Sequence, residues 1–410
     1  MMKDLKVAFF LGYKSIVNGN KSIIVLMIFI LSLAFVNLIF TNSLLSGVTT
    51  TLDNQLINNS VANIVIDPQE EPTRENYIVH TEELRRQIQN IPGVIATVAH
   101  YNLMATFAYD KNKDGQYKYG SWGVIGIDPG EEPLVTGISN HIIAGDYLEG
   151  TGSDDIVLGS DIAGGYGAAE EIRSLGVAKI DEKVKLNFGN GVQREYTVRG
   201  VSKVKFTLID QEAYITAKEA KSILQLSDDR ASQILVKINK TGDEDRYIEQ
   251  IKKLAPNLKV RKWTEYTSML NSITSSFDLI TGMIGAIGLV VAATTIFILT
   301  YVNTINKRRQ IGILKAIGIK DNTIIISYVL QSFFYAISGI IFGSIAMFCF
   351  IEPYFISHPI ALAIGDISLT IKEYQVAQGI FSILIAALIA GFVPAWRAAK
   401  ENILKAIWGA

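Results

Sequence analysis

Residues that could carry out bond chemistry are scarce in this 410-residue chain. There is no G-x-x-x-x-G-K-[ST] loop to cradle phosphates; the nearest string, GNKS at Gly19 to Ser22, lacks the glycine before lysine and runs into an apolar segment. A G-x-S-x-G elbow and an H-E-x-x-H pair are also missing. Four histidines and one cysteine, Cys349, give neither a structural zinc site nor a disulfide framework. No cofactor and no metal are expected, and the many carboxylates read as solvated surface. The stretch NKRRQIGILKAIGIK, Asn306 to Lys320, offers a different chemistry, that of a docking surface. As a helix it sets Ile311, Leu314, Ile317 and Gly318 on one side, with Lys307, Arg308, Arg309 and Lys315 toward water. Gly318 is placed to end the helix, and Lys320-Asp321-Asn322 to start the next.

This connector lies between two long apolar runs, so the chain that positions it must be a membrane protein. Apolar residues make up 49% of the sequence and mean hydropathy is +0.28, with charge gathered between the apolar runs. The net charge of −1 gives no bulk attraction to nucleic acid, and no nucleic-acid partner is expected. Spans are expected at 22–42, 277–303, 321–351 and 376–394, each long enough for a hydrocarbon core of about 30 Å. Residues 1–21 read as an interfacial helix, with Lys3, Lys6, Lys14 and Lys21 on one face and Leu5, Phe9 and Ile16 away from them. Basic residues before the first span and in the connector, 304–320, place both on the cytoplasmic side. The outer loop, 352–375, carries one lysine. Gly282, Gly285 and Gly288 on the second span, and Gly339 and Gly343 on the third, make small-residue ridges for packing within the four-helix set. The fourth span is expected to end at Pro394, and 395–410, with Arg397, to leave it as a basic cytoplasmic tail.

Between the first two spans, 43–276 has the length and turn signals of a folded extracytoplasmic domain. Ala62 to Ile66 reads as a strand, Thr81 as the cap of helix Glu82 to Asn90, and Val94 to Tyr109 as extended chain. The pattern recurs at Gln233 to Ile238, Gly242 to Leu254 and Leu258 to Trp263, and LRRQIQNIPGV echoes YIEQIKKLAPNL. The reading is a split α/β unit whose halves meet in space. Inserted between them, about 110–230, is a β-rich lobe, with Val184, Leu186 and Phe188 alternating before an Asn190-Gly191 turn. The fold class is thus a four-span α-helical membrane protein carrying a large α+β outer domain.

RRQIGILKAIGIK resembles a signature of the FtsX-like permease family, which includes MacB and the lipoprotein-releasing LolC and LolE subunits; Gln310 stands where the family has an acid. PAWRAAKENILKAI resembles its closing motif, with Asn402-Ile403 in place of Asp-Pro. The order GVIGIDPGEEPLVTGISNHIIAGDYLEG, DDIVLGSDIA, VKLNF, REYTVRGV is more similar to LolC and LolE than to MacB, although FGNGVQR is a tight turn where LolC has a longer carrier-hooking excursion. The connection Ala163 to Val177 is longer here. The resemblance implies a type VII ABC permease: a porter-like α/β lobe with a sabre-like β lobe, a separate ABC ATPase subunit, and a second permease subunit, identical or related. A lipid bilayer and an extracytoplasmic protein or lipoprotein are its further partners. It implies that Ile311, Leu314 and Ile317 fill a groove on the ATPase, that Gly312 and Gly318 allow close approach and termination, and that Lys307, Arg308 and Arg309 orient the connector. Lipoprotein release is the expected function. Activation of a cell-wall hydrolase, efflux of peptides or small molecules, and an ATP-independent sensor are the alternatives.

Overall fold

Alternating apolar residues at both ends of the outer segment build one sheet. In the computed structural model, which describes all residues except 1, 70–76, 151–153, 167–173, 227–228, 267, 363 and 401–410, the chain separates into two compact units. Unit 1 is Met1–Thr50, Ile273–Ile360 and Ile367–Ala410; unit 2 is Thr51–Ser272 with Ala361–Asp366.

In unit 2, strand β1 (Ile64–Pro68), the short β2 (Ile78–Val79), helix α3 (Thr81–Gln89) and β3 (Val94–Tyr109) form the first half. The second is β10 (Arg230–Ala231), β11 (Gln233–Ile238), α7 (Glu244–Leu254) and β12 (Leu258–Lys262). The halves interleave antiparallel in the order β12-β1-β11-β3, a split βαβ arrangement, and β10 pairs β2. Leu84 and Ile88 of α3, with Tyr247, Ile248 and Ile251 of α7, pack on Ile64, Ile66, Ile234 and Val236. Thr81 is not the helix cap: its hydroxyl donates to the Ile78 carbonyl, and His80 takes the capping place with φ 54.

The β-rich lobe begins inside β3, earlier than residue 110. Its 16 residues run through both lobes, and Ala105–Tyr109 lies against β4 (Lys118–Ile127) and, through Ala105–Ala108, β7 (Lys183–Phe188). Strands β5 (Ile142–Gly145), β6 (Asp155–Gly159), β8 (Gln193–Ser202) and β9 (Glu212–Thr216) complete the lobe, with helices α4 (Ser160–Ala163), α5 (Thr207–Asp210) and α6 (Ala217–Ile223). The β4–β9 and β6–β8 pairs are parallel. The core holds Phe107 and Trp122 edge to face, with Val124, Ile156 and Tyr196. The turn between β7 and β8 uses Gly191 at φ +84, a conformation that favours glycine, and the Asn190 amide donates to the Ile223 carbonyl. After helix α8 (Trp263–Tyr266) the chain leaves this unit. It returns at Ala361–Asp366 within a hairpin of β13 (Ile360–Leu362) and β14 (Gly365–Ile367), where Lys205 pairs with Asp366 at 2.6 Å.

The helices of unit 1 are α1 (Met2–Val17), α2 (Lys21–Asn59, whose end lies in unit 2), α9 (Ser268–Asn306), α10 (Arg308–Ala316), α11 (Asp321–Ala346) and α13 (Glu373–Ala399). A π-helical turn, Met347–Ile351, extends α11 into α12 (Glu352–Ser357). Among the described residues four helical stretches are long and apolar enough to span a bilayer: Lys21–Asn59, Leu279–Asn306, Asp321–Ser357 and Glu373–Ala399. Among the described residues, Leu31, Phe35 and Ile39 of α2, Ala292 and Ile296 of α9, Tyr335 and Ala336 of α11, and Ile383 and Ala387 of α13 share one core. Helix α1 lies on α11: Ala8 is buried, and a methyl built on Gly12 would stand 3.2 Å from the Ser327 carbonyl oxygen. Its Leu5, Phe9, Phe10 and Tyr13 stay exposed, while Ile16 packs partly into the core. The last helix does not stop at Pro394. The helix continues through it to Ala399, because neighbouring helices and local adjustment let a membrane helix tolerate the missing N–H.

Candidate functional site

Helix α10 begins after Lys307 and closes on a Schellman motif: Ile319 N–H donates to the Leu314 carbonyl, Gly318 N–H to that of Lys315, and Gly318 takes φ +93. The following Lys320 is extended, and Asp321 opens α11. Gly318 therefore turns the chain between two helices. Residues with a side chain rarely adopt this φ.

One face of α10 is fastened to its own chain. Ile311, 2% exposed, packs among Ile324 and Tyr328 of α11 and Ala395 and Ala399 of α13, and Gly312 is buried beside it. Lys315 donates to the Ala399 carbonyl at 2.5 Å and pairs with Asp321 at 3.1 Å. Lys307 donates to the Ser15 hydroxyl at 2.5 Å, and that hydroxyl donates to the Gln331 side chain at 3.0 Å. Burial pushes the Lys307 ammonium down. The connector, α1 and α11 are thus tied through one hydrogen-bonded chain.

Ile311 thus packs inside this chain, and Lys307 and Lys315 are engaged by Ser15 and by Ala399 and Asp321. Leu314 and Arg308 are half-buried. The outward face holds Ile313, 49% exposed, and Ile317, 72% exposed, with Arg309, Gln310, Ala316 and Gly318 around them. Ile313 was not among the expected contact residues. Its signal was the i, i+4 spacing to Ile317, obscured because Ile311 and Leu314 interrupt that pair with apolar residues of the other face.

The glycines divide as well. A methyl on Gly339 would lie 2.6 Å from Leu31 Cβ, and one on Gly343 2.9 Å from Phe35 Cδ1 and 3.0 Å from the Ser32 carbonyl oxygen. These two let α2 and α11 meet at backbone distance. On α9, Gly288 comes near Asn37 Oδ1, but a methyl on Gly282 or Gly285 meets nothing within 4 Å among the described residues. Their expected packing within the four-helix set is not found. Pro394 is buried and Arg397 exposed on α13; residues 401–410 of the tail lie outside the described residues. Among the described residues no group of His, Cys, Asp and Glu could hold a metal ion.

Two family models match successive parts of the chain. Residues 24–254 match the family described as MacB-like periplasmic core domain, and 282–403 match FtsX-like permease C-terminal. No curated protein matches the sequence. Similar solved structures include the periplasmic region of MacB from Actinobacillus actinomycetemcomitans, at 13% identity and TM-score 0.36, covering 54% of this chain and 98% of that one. Another is the extracellular domain of the noncanonic ABC-type transporter YknZ from Gram-positive bacteria, at 14% identity and TM-score 0.33, covering 48% and 99%. With its four apolar helices, its large α/β domain between the first and second, and a core-domain match over more than half its length, the chain belongs to the MacB-like, FtsX-type family of ABC transporter permeases.

Proposed function

We propose that this chain is the permease subunit of an ABC system whose ATPase is a separate polypeptide, and that it relays ATP-driven motion to its extracytoplasmic domain. Family membership implies an ABC ATPase partner and dimeric assembly. The observation that carries the reading is the division of α10: one face is fastened to α1, α11 and α13, while Ile313 and Ile317 stand exposed beside Arg309. A helix held on one side and open on the other can be pushed as a unit. With the connector docked on a cytoplasmic ATPase, both termini are cytoplasmic. The ATPase is expected to present an apolar groove with an acidic rim.

The test is a pull-down of the ATPase with an Ile313→Asp, Ile317→Asp variant, checked against membrane abundance. Putting charge into an apolar groove should cost several kcal/mol, about a hundredfold or more in affinity. Abundance should be unchanged, since both side chains face water. Wild-type recovery of the ATPase would remove the coupling role.

Within this function we assign lipoprotein release as the work done outside. The order of outer-domain motifs from Gly123 to Val201 supports it. Depletion of the chain should then strand lipoproteins in the membrane that holds it. An unchanged lipoprotein distribution would leave efflux of peptides or small molecules, or hydrolase activation, in its place.

A further inference from the structure

Where β3 passes from one lobe of unit 2 to the other, a cavity of about 330 Å³ opens between β3, β4, β9, β11 and the chain ahead of β1. Its lining includes Asn102, Met104, Gly123, Ile125, His100 and Glu212. Met104 is 63% exposed although it sits on a sheet. Beside it, Gly123 leaves space: a methyl there would meet only Glu212 Cγ, at 3.9 Å. Glycine inside a strand marks a place where another group approaches closely.

Glu212, at the start of β9, points its carboxyl into this region. It is partly buried and has no hydrogen-bond or ion-pair partner among the described residues. No lysine or arginine appears among the described lining residues. His100 is the nearest basic group, and its Nε2 is engaged by Glu132 Oε2 at 2.9 Å, with Glu132 in turn accepting from the Thr136 hydroxyl at 2.6 Å. Loss of surrounding water pushes the Glu212 carboxyl up to about 7, His100 pulling slightly the other way. Around the nearby Tyr214 hydroxyl the interacting groups are Glu212, Glu132, Asp210 and Tyr147, none of them positive. The pocket thus offers an apolar floor ending at a carboxylate that lacks a counter-charge.

We propose that this cavity receives a cationic side chain, a lysine or arginine projecting from a protein docked on the outer domain. Its methylene stem lies over Met104, Gly123 and Ile125, and its ammonium or guanidinium group meets Glu212. Long basic side chains bury their stems against apolar surface while the head finds a polar partner. A charge-assisted hydrogen bond in so sheltered a site is shorter and stronger than one at an open surface. The site is independent of the ATPase-coupling face and stands or falls separately from it.

The test uses the full-length chain in lipid nanodiscs and ligand-observed NMR titration at pH 8. The probes are N-acetyl-arginine amide, its uncharged counterpart N-acetyl-norleucine amide, and n-butylammonium. Capped arginine should bind at least tenfold more tightly than capped norleucine, and Glu212→Gln should remove that difference. Gly123→Val narrows the floor beside Glu212 while keeping its carboxylate, and should weaken capped arginine by a similar factor. Both variants are read alongside their melting temperatures, so that a folding defect in one leaves the other decisive. At pH 6 the empty pocket holds a proton that the cation must displace, so affinity should fall about tenfold from pH 8. Equal binding of arginine and norleucine probes, undiminished binding to Glu212→Gln, or no binding of either cation overturns the proposal. Binding of n-butylammonium tenfold or more tighter than capped arginine overturns its assignment to a protein side chain in favour of a free amine.

Discussion

The second and third spans carry the same kind of small-residue ridge and put it to different ends. On α11, Gly339 and Gly343 take Leu31 and Phe35 of α2 against the backbone; on α9, a methyl on Gly282 or Gly285 meets nothing within 4 Å among the described residues. Helix α10, between these spans, repeats the contrast across its own width. Ile311 is sealed against α11 and α13, whereas Ile317 is exposed. A small-residue ridge or an apolar stripe says that a helix surface suits close company. It does not say whether that company belongs to the same chain.

The largest expected effect falls on the sealed side of the connector. Ile311→Asp buries an unpaired charge and should destabilise the membrane unit by on the order of 4 kcal/mol, read as lost abundance and lost monodispersity in detergent. Ile317→Asp, six residues on but facing water, should leave both unchanged. Equal losses would erase the distinction between the two faces. Next comes the ridge. Gly343→Leu overpacks a contact already tight for a methyl and should cost about 3 kcal/mol in a detergent unfolding titration, against no measurable change for Gly285→Leu. If Gly285→Leu is instead the more damaging variant, the assignment of the two ridges is inverted. The smallest effect sharpens the connector's fastening. Lys315→Ala removes the bond to the Ala399 carbonyl and the pair with Asp321 and should cost about 1 kcal/mol, while Arg309→Ala on the outward face should cost nothing in stability. A neutral Lys315→Ala would mean that Ile311 and Lys307 hold the helix without it.

Much of this architecture could be read from the sequence because it depends on length and period. Apolar runs of about twenty residues announce spans whatever they pack against, and the strand-helix-strand echo at Ile64 and Gln233 survives because each half buries its own face. What escaped the sequence depends on neighbours. Ile311, Ile313, Leu314 and Ile317 are all apolar, so helical periodicity spreads them around most of a turn, and the packing of Ile324, Tyr328, Ala395 and Ala399 decides which side is sealed. Lys315 reads as a surface charge until the Ala399 carbonyl is seen next to it. Pro394 reads as a terminator by the rules of helices in water, which bilayer helices relax. Strand β3 looked like the boundary between lobes, whereas its 16 residues serve both. Glu212 carries no motif at all. Its isolation arises where strands distant in sequence converge.

The hairpin at Ala361–Asp366 bears on the order of synthesis. Because Asp366 completes the Lys205 pair inside unit 2, that unit is still short of its last strands when residue 272 leaves the ribosome. The second and third spans must be made and inserted first, a delay of about ten seconds at ordinary elongation rates. During that interval Lys205 has no carboxylate from this hairpin, and the site it will occupy is open to chaperones and proteases. A fragment ending at the second span would hold the outer domain in this same unfinished condition permanently.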